Sequence, residues 1–405
     1  MRTNIMSPLA ETAAGAIADE VLRACVHCGM CNATCPTYHL TGDELDGPRG
    51  RIYLIKQALE GEPVTSLTRD HLDRCLSCRA CETTCPSGVQ YHRLLDVGRD
   101  VVAHQTERPP AQRALRAAIR WLCIEPWRLE RLMALGRPFK ALLPSALRGK
   151  LPARTPMGAL PRPVAHDRRM TLLTGCVQSA TAPHFNAATR RVFDAAGVSL
   201  TETPGVGCCG ALSAHLDAPE EARALARRNI DAWIKQLDAG AEAVIVNASG
   251  CAAFIRDYPD LLADDPYDVA KARRVLAALK DPVEVLAKDP PRAVRAPRNT
   301  RIAVHQSCTL RNGPGLAEAP ERLLASLGYD PQPVAGSHLC CGSAGAYSLL
   351  QPKMAGELRA LKVTALTAGD PEAIYTANIG CWMHLAEKSP VPVRHWIEAV
   401  DDVVS

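Results

Sequence analysis

Apolar and polar positions divide the 405-residue chain into three stretches with different periodicities. From Met1 towards Cys25 the apolar residues recur at helical spacing, which predicts an amphipathic helix ending at that cysteine. The segment "GPRGRIYLIKQALEG" (47–61) predicts a second helix, with Pro48 at its start and Gly61 at its end. A short third helix is expected from Ser66, a good N-cap residue, towards Cys75. Residues 108–169 form a connector. It is helical in pattern through Arg154 and basic, with eleven Arg and Lys set against Glu125 and Glu130. It then turns into the Pro- and Arg-rich linker "LPARTPMGALPRPVAHDRR".

From residue 170 the period changes. Short β-like runs, "MTLLTGC" and "RIAVHQSC", end at Cys176 and Cys308, 132 residues apart. A Cys-Cys-Gly follows each after 32 residues, at 208–210 and 340–342, and then come "EAVIVNASGC" to Cys251 and "EAIYTANIGC" to Cys381. Apolar strands alternating with helices predict two α/β halves, 170–288 and 289–405, related by internal pseudo-symmetry. The expected fold is therefore α+β overall: an α-helical domain (1–107), the connector, and two α/β domains.

Composition narrows the setting. A net charge of +4, from 47 basic and 43 acidic residues, is too small to argue for nucleic-acid binding. Seventeen cysteines, an odd number mostly in CxxC or CC pairs, fit a disulfide framework poorly. The N-terminal residues lack the basic-then-apolar order of a signal peptide, and no apolar run approaches the ~18 residues that span a membrane. Reduced thiols holding metal in the cytoplasm are the expectation.

The cysteines at 25, 28, 31 and 35 recur at 75, 78, 81 and 85, each offset by 50. The spacing C-x2-C-x2-C-x3-C-P is that of two-cluster ferredoxins, in which the fourth cysteine of each run ligates the other cube. The predicted ligand sets are Cys25, Cys28, Cys31 with Cys85, and Cys75, Cys78, Cys81 with Cys35. Structural zinc commonly uses two CxxC pairs across a longer loop. Three thiols packed two apart, twice over, fit two 4Fe-4S clusters better.

Cys176, Cys208, Cys209 and Cys251 form one further set, and Cys308, Cys340, Cys341 and Cys381 another. Vicinal thiols converging with two more make a metal cage or a redox-active pair, serving relay or docking rather than substrate chemistry. "GVGCCG" (205–210) also satisfies the dinucleotide fingerprint, but Ser337 and Leu339 replace two of its glycines in the second half, and nucleotide binding is not expected. Cys123 sits on an apolar helical face and reads as core. His305, His338 and His384 read as packing or outer residues around the thiols. The connector, with Trp121 and Trp127, reads as a solvated or partner-facing helix pair, or as a helix lying on an anionic membrane.

With both duplications in view, the whole chain resembles the iron–sulfur subunits of glycolate oxidases (glycolate dehydrogenases). Wider relatives of that family include the iron–sulfur subunits of anaerobic glycerol-3-phosphate dehydrogenase and heterodisulfide reductase. The resemblance rests on the two-cluster motif, "GPRGRIYLIK" between its repeats, and two CCG domains. It implies partner subunits carrying FAD that oxidise glycolate to glyoxylate, while this chain relays electrons to a membrane acceptor such as quinone. The implied location is the cytoplasm, peripheral on the inner face of the cell membrane. Lactate or glycerol 3-phosphate as the substrate of the complex, and a heterodisulfide-reductase-like enzyme with catalytic CCG clusters, are the alternatives. The fuller CCG pattern ends in CxxC, whereas Ala248 and Asn378 stand three residues before Cys251 and Cys381. No flavin fold or hydroxyacid site is visible, so no catalytic residue is assigned to this chain.

Overall fold

The computed structural model describes residues 1–142, 149, 151–153, 155–160, 166–291 and 299–404. The N-terminal domain packs helices Ala13–Ala24, Pro48–Leu59, Ser66–Asp73 and Tyr91–Gln105. The first buries Ala18, Val21 and Leu22, a stripe at helical spacing that meets Ile52, Ile55, Leu94 and Leu95. Its N-cap is Thr12, whose hydroxyl accepts from the Gly15 amide at 3.1 Å. Helix Pro48–Leu59 begins at the expected proline. The third helix is capped one residue earlier than expected: Thr65, not Ser66, accepts from the Thr68 amide. Gly98 lets helix Tyr91–Gln105 approach Pro48–Leu59, since a Cβ there would stand 2.5 Å from Ile55 Cγ1.

The connector is helical over Pro110–Ile124 and Pro126–Gly136, with a 3₁₀ turn at Lys140–Leu142. Leu151–Ala153 carry no helix, so the helical pattern does not run to Arg154 as expected; residues 143–148, 150, 154 and 161–165 lie outside the described residues.

Two four-stranded parallel sheets follow. The strands are β1 (Arg168–Leu173), β2 (Val198–Glu202), β3 (Val244–Val246) and β4 (Leu279–Lys280), then β5 (Arg301–His305), β6 (Asp330–Gln332), β7 (Ala373–Thr376) and β8 (Val393–His395). Their orders, β2-β1-β3-β4 and β6-β5-β7-β8, are the same, which is the pseudo-symmetry the spacing predicted. The buried runs "VIV" and "AIYT" suit strands covered on both faces. One core serves both sheets: Met170, Leu172, Val198 and Phe193 join Ile302, Val304, Tyr375, Trp396 and Val400. The last helix, Trp396–Val404, packs on Pro183–Ala195 of the first half, and Arg191 Nε meets Asp401 Oδ1 at 2.9 Å.

Candidate functional site: two thiol cradles against two thiol clusters

Each ferredoxin-like run is a loop entering a short helical turn, Met30–Thr34 in one repeat and Ala80–Thr83 in the other. The loops reach their shape by left-handed residues at matching places: His27 and Gly29 (φ 58° and 85°), Ser77 and Arg79 (φ 50° and 58°). Such alternation turns successive amides to one side, building a concavity lined by N–H groups. The Ser77 amide, for one, donates to Cys75 Sγ at 3.4 Å. The two turns lie together, with Thr34 Oγ1 donating to the Ala80 carbonyl at 3.0 Å and Thr84 Oγ1 to Thr34 Oγ1 at 3.1 Å. The fourth cysteine of each run is thereby carried across to the other loop.

Two concavities result. One is lined by Cys25, Cys28, Cys31 and Cys85. The other is lined by Cys35, Cys75, Cys78 and Cys81. Cys81, Pro48 and Tyr91 line both, so the cradles share a wall. Four convergent thiols with inward amides fit an iron–sulfur cube, which needs thiolate ligands and hydrogen bonds to its sulfurs. Burial, then the neighbouring thiols, drives Cys31 up to about 11 and Cys81 well above the ordinary thiol range.

The cradles differ in surroundings. Cys28 is exposed, and Val26 and Met30 beside it are 69% and 53% exposed, so the first cradle opens to solvent. The second is enclosed. Arg51, 1% exposed, lines it; its Nε donates to the His71 carbonyl at 2.7 Å and its Nη1 to Thr37 Oγ1 at 3.1 Å. Arg79, left-handed between Cys78 and Cys81, is held by an ion pair to Asp257 of the first α/β half. From the second half, Asn312 Nδ2 donates to the Cys78 carbonyl at 2.6 Å, and Cys340 and Tyr347 pack with Leu76 and Cys78. Burial, and then Cys308, pushes the Cys78 thiol well up.

In the α/β halves the thiols gather at the carboxyl ends of the strands, where the strand order reverses, the usual ligand position in open parallel sheets. The expected strand-end cysteines sit slightly further on. β1 and β5 stop at Leu173 and His305, and Cys176 and Cys308 open the following helices; Cys251 and Cys381 lie within helices Ser249–Arg256 and Ile379–Ala386. The sulfurs form matching chains. In the first half Cys176 Sγ is 3.3 Å from Cys208 Sγ, and Cys209 contacts both Cys208 and Cys251. In the second Cys308 contacts Cys340, Cys340 contacts Cys341, and Cys341 Sγ is 3.1 Å from Cys381 Sγ.

Asn378, where the longer CCG pattern has a cysteine, caps its helix: Oδ1 accepts from Gly380 N at 2.8 Å, and Nδ2 donates to Ser249 and Thr309 hydroxyls, both at 3.3 Å. It stitches the halves together instead of ligating. Ala248 is buried and offers no donor. The residues of "GVGCCG" form a loop before the five-residue helix Ala211–His215, with the Gly207 amide donating to Asn229 Oδ1 at 3.0 Å; no long helix opens there to receive a pyrophosphate. Cys123 is half-buried on the connector, where burial and then Cys208 raise it to about 11, and its neighbour Ile124 packs on Cys176 and Cys208. His338 is exposed, and His384 Nε2 lies 3.1 Å from the Ala355 carbonyl. His305, read from the sequence as an outer residue, stands closer: a ring nitrogen lies within 4.8 Å of the Cys341 and Cys381 sulfurs. Burial, then Lys362, lowers its pKa to about 3, so the ring is neutral. Arg51, Arg79, Asp257 and Asn312 were not singled out from the sequence at all. Arg51 sits inside the quoted "GPRGRIYLIK", where an arginine on the apolar stripe of a helix was the available signal.

Family models match a 4Fe-4S dicluster domain over residues 21–89 and a cysteine-rich domain twice, over 170–256 and 302–386. These matches and the paired cradles define an iron–sulfur protein in which a two-cluster domain is joined to a duplicated cysteine-rich unit. The chain is 48% identical over 405 residues to the glycolate oxidase iron-sulfur subunit of Escherichia coli K12, covering 100% of this chain and 99% of that one. It is 32% identical over 394 residues to the probable glycolate oxidase iron-sulfur subunit of Bacillus subtilis 168, covering 89% and 87%. Lactate utilization protein A of an Exiguobacterium strain is 26% identical over 248 residues, 58% of this chain and 98% of its own. The chain belongs to the family of glycolate oxidase iron–sulfur subunits.

Proposed function

We propose that this chain is the electron-relay subunit of a glycolate oxidase. Partner subunits bearing FAD take two electrons from glycolate, and this chain passes them singly towards a membrane acceptor such as quinone. The observation that carries the reading is the pair of crossed cysteine cradles sharing a wall, one open to solvent and one enclosed against the α/β halves. The full-length similarity to the E. coli subunit supports the choice of substrate. Cys25, Cys28, Cys31 and Cys85 hold one 4Fe-4S cluster, and Cys75, Cys78, Cys81 and Cys35 the other. Such clusters, when bound, supply one-electron chemistry. The chain's own residues position and insulate: the loop amides point at sulfur, Arg51 and Arg79 place positive charge at the inner cradle, and the halves keep water from it.

The two α/β thiol sets bind metal or act as redox-active pairs; iron, sulfide and zinc analysis of the anaerobically purified chain measures which. The connector supports peripheral attachment on the inner membrane face. Trp121, Trp127, Leu135 and Phe139 are 61%, 48%, 71% and 60% exposed among arginines, and among the described residues no helix is long and apolar enough to cross a membrane. Co-sedimentation with anionic but not neutral vesicles is the expected result.

The central test uses the purified single chain and the chain mixed with its flavin-bearing partners. Glycolate-dependent dye reduction is expected only in the mixture. Steady turnover by the single chain, free of flavin protein, overturns the proposal.

A further inference from the structure

The two halves share topology and a four-thiol chain, yet they differ in the residue that ends the first strand of each. At the end of β5 stands His305, where the matching position of β1, three residues before the first cysteine, is Leu173. His305, Cys341 and Cys381 are buried, and one donor atom from each lies within 4.8 Å of the other two. This is the only such trio among the described residues that includes thiols. An imidazole carried into a nest of thiols at a strand end has no packing advantage over leucine, and the first half is built with leucine.

We propose that the second half holds a single divalent ion of the zinc class through His305, Cys341 and Cys381, with Cys340, which contacts Cys341 but lies outside that trio, turning in to complete a tetrahedron. The proposal rests on reading these cysteine sets as metal sites and adds which metal class, and which half. Three sulfurs and one nitrogen are a characteristic zinc donor set, with metal–sulfur distances near 2.3 Å and metal–nitrogen near 2.0–2.1 Å. Tetrahedral geometry separates such sulfurs by about 3.8 Å, so the 3.1 Å between Cys341 and Cys381 needs only a small side-chain adjustment.

Two features prepare the site. His305 Nδ1 lies 3.0 Å from Thr376 Oγ1, a partner for one ring nitrogen that leaves the other for the metal, the usual arrangement around a ligating histidine. Lys362, 3% exposed, stands beside the thiols and is anchored on the Gly336 carbonyl at 2.8 Å. Three thiolates, one dication and the ammonium sum to zero charge, which is what a buried site requires. Cys308 is left over, in contact with Cys340 on one side and near Cys78 of the inner cradle on the other. The first half lacks the imidazole and is not expected to hold zinc in this way.

The experiment takes the full chain, purified without oxygen with its clusters in place, and equilibrates it with Zn²⁺. Zinc per chain is counted by elemental analysis, and the zinc X-ray absorption edge reports sulfur and nitrogen neighbours. Wild type is expected to retain one zinc with nitrogen and sulfur neighbours against a chelator. His305→Leu, which copies the residue tolerated in the first half, is expected to lose the nitrogen neighbour. It should also weaken retention at least about tenfold, since loss of outer partners alone costs about 10–100-fold. Thr376→Val should weaken retention while keeping the nitrogen. If His305→Leu retains zinc as wild type does while Cys381→Ser releases it, the imidazole is no ligand and the proposal fails, although the thiol-site reading survives. If no variant nor wild type retains zinc, and iron and sulfide do not exceed the content of two cubes, both fail. Iron and sulfide beyond that content, in place of zinc, overturn the single-ion assignment alone.

Discussion

Arg51→Met tests whether the enclosed cradle depends on a buried cation. Arg51 is 1% exposed and makes three polar contacts: the His71 carbonyl at 2.7 Å, Thr37 Oγ1 at 3.1 Å and, through Nη2, Asp46 Oδ1 at 3.6 Å. Breaking one side of a buried ion pair usually costs about 3–5 kcal/mol, because the remaining charge is stranded. Here Asp46 keeps His71 Nδ1 at 2.8 Å and Arg74 Nη1 at 3.1 Å, so the lower end, about 3 kcal/mol, is expected. That is a large fraction of the ~5–15 kcal/mol that holds a domain together. Arg51 also lies near Cys35 and Cys75, so its charge favours the more negative, reduced cluster there. A charge-assisted interaction of about 1.5–3 kcal/mol corresponds to about 60–130 mV for one electron. The inner cluster's potential should therefore fall by that order, while the solvent-facing one stays put. The assay pairs a denaturant titration followed by cluster absorbance with potentiometry read by electron paramagnetic resonance. Arg51→Lys keeps the charge but loses the planar fork, and should recover most of the potential with less of the stability. A variant within about 1 kcal/mol of wild type, with both potentials unmoved, refutes the reasoning.

Cys35→Ser should disturb the cluster signal associated with Cys75, Cys78 and Cys81 and spare that of Cys25, Cys28 and Cys31; the reverse pattern would mean that ligation is not crossed. Gly98→Ala places a methyl group 2.5 Å from Ile55 Cγ1 and should cost about 1–3 kcal/mol in denaturant unfolding, partly recovered by Ile55→Val in the same chain. An unchanged midpoint for the single variant would contradict the packing. Asp257→Asn removes the partner of Arg79, a left-handed residue that local strain disfavours, and should raise amide hydrogen exchange across residues 75–85. Exchange equal to wild type would show that the ion pair does not brace the loop.

How much of this was legible in the sequence follows from how each feature is encoded. The crossed cradles were readable because ligand spacing is a local property: eight cysteines at fixed gaps imply loop shapes, and repetition at an offset of 50 implies two of them. The paired α/β halves were readable for the same reason, through strand runs that end in matching order. The third helix was misread by one residue because adjacent hydroxyls at Thr65 and Ser66 are equally good caps, and only the backbone geometry chooses. The enclosing shell was not readable. Arg79 meets Asp257 and Asn312 meets the Cys78 carbonyl across 178 and 234 residues, and nothing periodic connects such positions. His305 was seen as an outer residue around the thiols, but its distance from Cys341 and Cys381 was not readable, since it depends on where β5 ends relative to the helix that follows β7.

The shared core has a consequence for how the molecule is made. Helix Trp396–Val404 supplies Trp396, Ile397, Val400 and Val403 to the cluster that also buries Val192 and Phe193 of helix Pro183–Ala195. During synthesis helix Pro183–Ala195 therefore emerges some two hundred residues before the helix that covers it, while the N-terminal cysteines are already outside the ribosome. In that interval the first half has an open apolar face, and the inner cradle lacks the wall formed by Asn312 and Tyr347. Iron and sulfide delivered early would meet a half-built chamber, so loading of the inner cluster is tied to synthesis of the wall. A premature stop ahead of Asn312 would then be read out as a missing cofactor more than two hundred residues away.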